Sequence, residues 1–168
     1  MSWLPFDLHP EYPPEGIPRE QLLARYGGPA VTERMTRFFA DRGLQYNPNP
    51  DVVPNSMNAL RLTELARELG RHADMHDRLM DAYWAEAKNI GDPEVLRAEA
   101  AAVGLSAGEV EDVLAGDRYR DRVEASTREA YSLGANAVPA FVLDRRLLVL
   151  GAQPDEVFEQ AFAQLELA

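Results

Sequence analysis

Apolar residues recur at steps of three and four through most of this chain and change to continuous runs only near its end, a pattern that predicts many helices and one late hairpin. Arg19 to Tyr26 is a short helix closed by Gly27-Gly28, and Pro29 opens a second carrying Val31, Met35, Phe38 and Phe39 on one stripe. Ala59, Leu62, Ala66 and Leu69 form a stripe between a cap at Asn55 or Ser56 and a stop at Gly70. Met75, Leu79, Ala82 and Tyr83 mark a further helix over His72 to Lys88. Asp92-Pro93 is a cap followed by a first-turn proline, and Ser106 with Glu109 is a capping box, in which each residue satisfies an end donor for the other. A long helix from Asp117 through Val123, Thr127 and Tyr131 and a last one opened by Pro154-Asp155-Glu156 complete the helical set.

The exception is Leu133 to Leu150. A helix runs out at Leu133-Gly134, a polar link leads to Val138-Pro139, and two apolar runs follow, Ala140 to Leu143 and Leu147 to Leu150. Each run is too short for a helix and apolar on both faces, which predicts strands covered on both sides. Proline has no backbone donor, so Pro139 belongs at the first strand position. Asp144-Arg145-Arg146 is a poor tight turn, because positive φ suits Arg145 badly; another loop type or strain is expected. Ser2 to Leu8 reads as a weak third strand. His9 to Pro18, with four prolines and a glycine, is an extended surface connection, and Tyr46 to Pro54 is another proline-broken loop.

Composition narrows the partners. The 168 residues carry 17 basic and 28 acidic side chains, a net charge of −11, and no basic run, so binding to nucleic acid is not expected. No stretch approaches the ~20 apolar residues that span a bilayer, and no secretory leader is recognisable, which predicts a soluble, cytoplasmic chain with no membrane partner. Cysteine is absent, which removes disulfides, thiolate nucleophiles and thiolate metal sites.

Four stretches, WLPFDLHPEYPPEG at 3–16, PNSMNALRL at 54–62, DAYWAEAKNIGDPEVL at 81–96 and LGANAVPAFVLDRRLLVLGAQP at 133–154, together resemble the DsbA-like thioredoxin-fold proteins, in particular the FrnE-type branch related to 2-hydroxychromene-2-carboxylate isomerases. The resemblance implies an α/β chain: an incomplete thioredoxin-like fold of one strand, a hairpin and flanking helices, with a large all-helical insertion. It implies a single domain over residues 1–168, with the insertion at about 19–116 and the thioredoxin core in 1–10 and 117–168. Pro139 then corresponds to the family's cis-proline, and Ala137, Val138 and Pro139 to the corner that docks a thiol- or peptide-containing client. The family's Cys-x-x-Cys lies in a strand and helix preceding the WLPFDL-like segment, so the chain is read as N-terminally truncated. An uncovered sheet edge is expected to favour a homodimer.

Other candidates have plainer explanations. Asn55, Ser56 and Trp3 are assigned to the rim of a cleft, although a helix cap explains the first two and core packing the third. Asp7 is a further polar group near that cleft. His72 and His76 sit four apart, as metal-ligand pairs do, but lack a third ligand, so no metal site is assigned. Glu64, Glu68, Asp74 and Asp77 fit an acidic helix surface. No catalytic residue and no cofactor is assigned. The reading is an oxidoreductase-like protein inactive in disulfide exchange, with a non-catalytic peptide-binding module or a glutathione-linked isomerase or transferase as the alternatives.

Overall fold

In a computed structural model, which describes residues 2–47 and 50–166, eight α-helices, one π-helical segment and two small sheets account for the regular structure. Pro48 and Asn49, in the second proline-broken connection, lie outside the described residues.

The core forms where the stripes of four helices meet. These are α3 (Met57–Glu68), α4 (His72–Met80), α5 (Pro93–Ala102) and α6 (Ala107–Ala115). Leu62, Leu65, Met75, Leu96 and Val113 are completely buried there. Burial of each large aliphatic side chain stabilises the fold by roughly 1.5–3 kcal/mol, so this cluster is the main apolar anchor of the chain. The caps behave as their residue types require: Asp92 accepts from the Glu94 amide and Ser106 from the Glu109 amide. Between α4 and α5 the chain widens into a π-helical segment, Asp81–Ala85, so the predicted helix over His72 to Lys88 is α-helical only as far as Met80. No periodic signal marks that change.

Two strands went unanticipated because each is only two residues long. β1 (Ile17–Pro18) pairs antiparallel with β2 (Val52–Val53), joining the two proline-rich connections at the base of the helical pair α1 (Arg19–Tyr26) and α2 (Pro29–Ala40). Neither helix of that pair buries a residue completely. Ser2 to Leu8, expected as a strand, is irregular and has no ladder partner among the described residues. The cause is local: Pro5 removes one donor, and the Asp7 amide donates to the Thr127 hydroxyl (2.9 Å) on α7 (Arg120–Ser132) instead of to a neighbouring strand.

β3 (Ala140–Leu143) and β4 (Leu147–Leu150) form the predicted hairpin, in the register Phe141 to Val149 and Val142 to Leu148. One face packs on α8 (Asp155–Glu166), where Phe158 meets Phe141 edge-on with ring centres 5.0 Å apart. The opposite face corrects the expectation of cover on both sides. Val142 is 42% exposed, and no third strand among the described residues joins the sheet. The turn is of type I′ geometry, with Arg146 N–H donating to Leu143 O (3.0 Å) across Asp144 and Arg145, which have φ of 49° and 55°. Strain at Arg145 therefore remains in a tight turn.

An ion network links α4, the exit of the π-helical segment and α5. Buried Glu99 accepts from Arg78 and from Lys88 (2.7 Å), and both cations also hold Glu86, at 2.6 and 2.7 Å. Hydrogen bonds from Arg78 and then Lys88 pull the Glu86 carboxyl down to about 2. For Glu99, burial works in the opposite direction, but the bonds from Lys88 and Arg78 outweigh it and the net shift is downward. Carboxyls depressed in the folded state stabilise it above their unfolded pKa, and that contribution disappears as pH falls through the folded value. Stability measured by urea denaturation should therefore fall as the pH goes from about 4.5 towards 2, and Glu99→Gln should flatten the dependence. An unchanged pH profile in Glu99→Gln would exclude this network as a source of acid sensitivity.

Candidate functional site

The corner before β3 is built by the way α7 ends. Gly134 takes φ of 88°, the Ala135 amide reaches back to Ala130 O (2.9 Å) and the Gly134 amide to Tyr131 O (3.0 Å), a Schellman stop that only a residue comfortable at positive φ allows cheaply. Ala135 is buried and anchors the exit. Asn136, Ala137 and Val138 then run over the surface before the chain enters β3. The Val138–Pro139 peptide is cis, and Pro139 O accepts from the Gly151 amide (2.8 Å), which ties the corner to the end of β4.

Val138 is 52% exposed, and the backbone groups of Ala137 and Val138 make no hydrogen bond among the described residues. Exposed donors and acceptors at the entrance to an edge strand form a template for an incoming extended chain. Ala137, Val138 and Pro139 thus lie together at one end of the hairpin.

Asn55, Ser56 and Asp7 form a separate cluster. Asn55 Oδ1 accepts from the Met57 amide (3.0 Å) while its Nδ2 donates to Tyr12 O (2.7 Å), so this side chain starts α3 and fastens the first proline-rich loop. Ser56 Oγ lies 3.5 Å from Asp7 Oδ1. Trp3 is elsewhere. It stacks on His76 of α4 with ring centres 5.0 Å apart, and its carbonyl accepts from Arg67. The two α4 histidines stack at 6.0 Å, and His72 Nε2 meets Arg67 Nη2 at 2.8 Å.

The chemistry of Asp7 follows from its surroundings. It is 3% exposed; burial pushes its carboxyl up, against the smaller opposing effects of the His9 backbone amide, Ser56 and the His9 ring. Thr127 was legible only as part of a helix stripe. Its hydroxyl both accepts from the Asp7 amide and donates to Val123 O (2.9 Å). A carboxyl raised in the folded state favours folding below its unfolded pKa and opposes it as pH rises through the folded value. Asp7→Asn should therefore raise the Tm at pH 7, with the gain shrinking as the pH falls and gone below about pH 4. Equal gains at both pH values, or a loss at pH 7, would contradict a desolvated carboxylate.

Comparison with known proteins gives consistent results. Residues 1–163 match the family described as a DSBA-like thioredoxin domain. The uncharacterized protein YwbO of Bacillus subtilis is 27% identical over 165 residues, which cover 97% of this chain and 80% of the relative. The crystal structure of a probable DsbA oxidoreductase from Streptomyces coelicolor superposes with a TM-score of 0.85 at 38% identity, covering 95% of this chain and 72% of that one. The cytosolic disulfide reductase DsbM of Pseudomonas aeruginosa superposes with a TM-score of 0.53 at 29% identity, over 70% of this chain and 62% of DsbM.

Proposed function

Since the chain belongs to the DSBA-like thioredoxin domain family, we propose that it is an oxidoreductase-like protein whose 168 residues dock a thiol- or peptide-containing client at Ala137–Pro139 without themselves carrying out disulfide exchange. The observation that carries the reading is the open backbone of Ala137 and Val138 at the mouth of β3, a strand whose outer edge is unpaired among the described residues. Disulfide exchange proceeds by thiolate attack on a disulfide sulfur, and this sequence contains no cysteine to supply the thiolate. Docking by strand addition requires no thiol.

In the same proposal, helices from about residue 19 to 116 are an insertion between core parts at 1–10 and 117–168, and the protein belongs to the FrnE-type branch. A cytoplasmic location is supported by the cytosolic DsbM neighbour. No described helix is long and apolar enough to cross a membrane. Edge-to-edge pairing of two copies is a further part of the proposal, because exposed Val142 and the open hairpin edges offer a surface of the required kind.

The test has two arms. A preparation of the 168-residue polypeptide with confirmed mass should leave insulin disulfides intact at the rate of the blank, while an extended peptide should bind saturably. N-methylation of alternate peptide amides should weaken that binding by about tenfold or more, since each lost bond at a partly dry edge is worth roughly 1–1.5 kcal/mol. Turnover above the blank would sink the first arm; indifference to N-methylation would sink the second.

A further inference from the structure

A second concavity lies far from the hairpin in sequence, where the end of α2 faces the π-helical segment. Its volume is about 370 Å³, within the range that holds small organic ligands. Phe39, Leu44, Met80 and Trp84 form its apolar walls. Leu44 is 57% and Met80 38% exposed, so apolar surface remains open at the mouth. Behind them the rings of Phe39, Tyr46 and Trp84 pack with centres 5.0–6.3 Å apart, giving the site a firm aromatic backing.

The wide turn holds the opposite wall in place. Trp84 O accepts from the Asn47 amide (2.9 Å), and Ala85 O accepts from the side chains of Gln45 (3.4 Å) and Asn47. The loop that carries Leu44 is thereby pinned to the π-helical segment by hydrogen bonds. Such segments are frequent at functional sites.

The charges at the rim decide the class of ligand. Glu86 is neutralised by Arg78 and Lys88. Asp81 alone makes no ion pair and no side-chain hydrogen bond among the described residues. An uncompensated carboxylate beside open aromatic and aliphatic surface is complementary to a cation with an apolar body. We propose that this concavity binds a small organic ammonium ion, its apolar part against Trp84 and Leu44 and its charge at Asp81. The site is independent of the docking corner and does not require a client there.

The chain contains two tryptophans, so Trp3→Phe leaves Trp84 as a single reporter. Titration of that variant at pH 7 with 2-phenylethylamine should change the Trp84 emission saturably. Its neutral N-acetyl derivative and the anion 3-phenylpropanoate should each bind at least about tenfold more weakly, the discrimination expected when one charged contact is lost. Asp81→Asn should abolish that preference without lowering the Tm, because its side chain supports no other group; Leu44→Gln should weaken the amine. No saturable response, equal affinity for the neutral analogue, or a preference that survives Asp81→Asn in a normally melting protein would each overturn the proposal.

Discussion

Arg61→Met should destabilise the protein by about 3–5 kcal/mol, a loss comparable with breaking a buried charged network. Arg61 is 1% exposed, yet no carboxylate pairs with it among the described residues. Its guanidinium instead donates from Nε to Arg118 O (2.8 Å), from Nη1 to Asn58 Oδ1 (2.8 Å), and from Nη2 to Val113 O and Gly116 O. Val113 and Gly116 lie at the end of α6, where carbonyls lack partners within the helix. One side chain on α3 therefore finishes α6 and positions the link into α7. Methionine fills similar volume but donates nothing, leaving the buried Val113 carbonyl and the part-buried carbonyls of Gly116 and Arg118 without this donor. Arg61→Lys should recover only part of the loss, because an ammonium cannot reproduce the planar fork. Urea denaturation measures both; a loss below about 1 kcal/mol for Arg61→Met would show that water takes over the carbonyls.

Gly16→Ala should be the other severe substitution, at roughly 2–4 kcal/mol, from positive-φ strain and steric displacement together. Gly16 has φ of 79°, and a Cβ there would stand 2.3 Å from Val53 O and 2.8 Å from a Val52 methyl group. The nearer obstacle is backbone, so no change of rotamer relieves it. β1 would have to separate from β2, loosening the base of α1 and α2. Hydrogen exchange should show faster exchange at Arg19, whose amide donates to Asp51 O (2.6 Å), while α3 to α6 keep their protection. A variant with native melting and native exchange at Arg19 would contradict the close approach.

The sequence made the hairpin and most helix ends readable because their signals are local. Ala140–Leu143 and Leu147–Leu150 coincide with β3 and β4, and Arg19–Tyr26 with α1. The DsbA-like fold with a helical insertion was legible through four motifs, none diagnostic alone. The misreadings concern where backbone donors go. Ser2–Leu8 has strand composition, but Asp7 finds Thr127, 120 residues away, and no local pattern reveals that. Arg61 is hidden for a related reason. α3 buries residues on nearly every side, from Met57 through Ala66, so a polar residue within it looks like part of a solvent face. Of the residues proposed for function, Ala137, Val138 and Pro139 lie together at the corner, Asn55 and Ser56 are engaged in starting α3 and bonding Asp7, and Trp3 packs against α4. Composition predicted these residue types but not which of them would meet.

An open backbone corner is proposed to receive an extended client although the polypeptide holds no thiol. Amide chemical shifts of the ¹⁵N-labelled 168-residue chain, followed during titration with an extended cysteine-containing peptide, report on that docking residue by residue. Docking there should give saturable shifts centred on Ala137, Val138 and the amides of β3, with the protein's mass unchanged. Shifts centred on α2 and Trp84, or no saturable change at the corner, would contradict it.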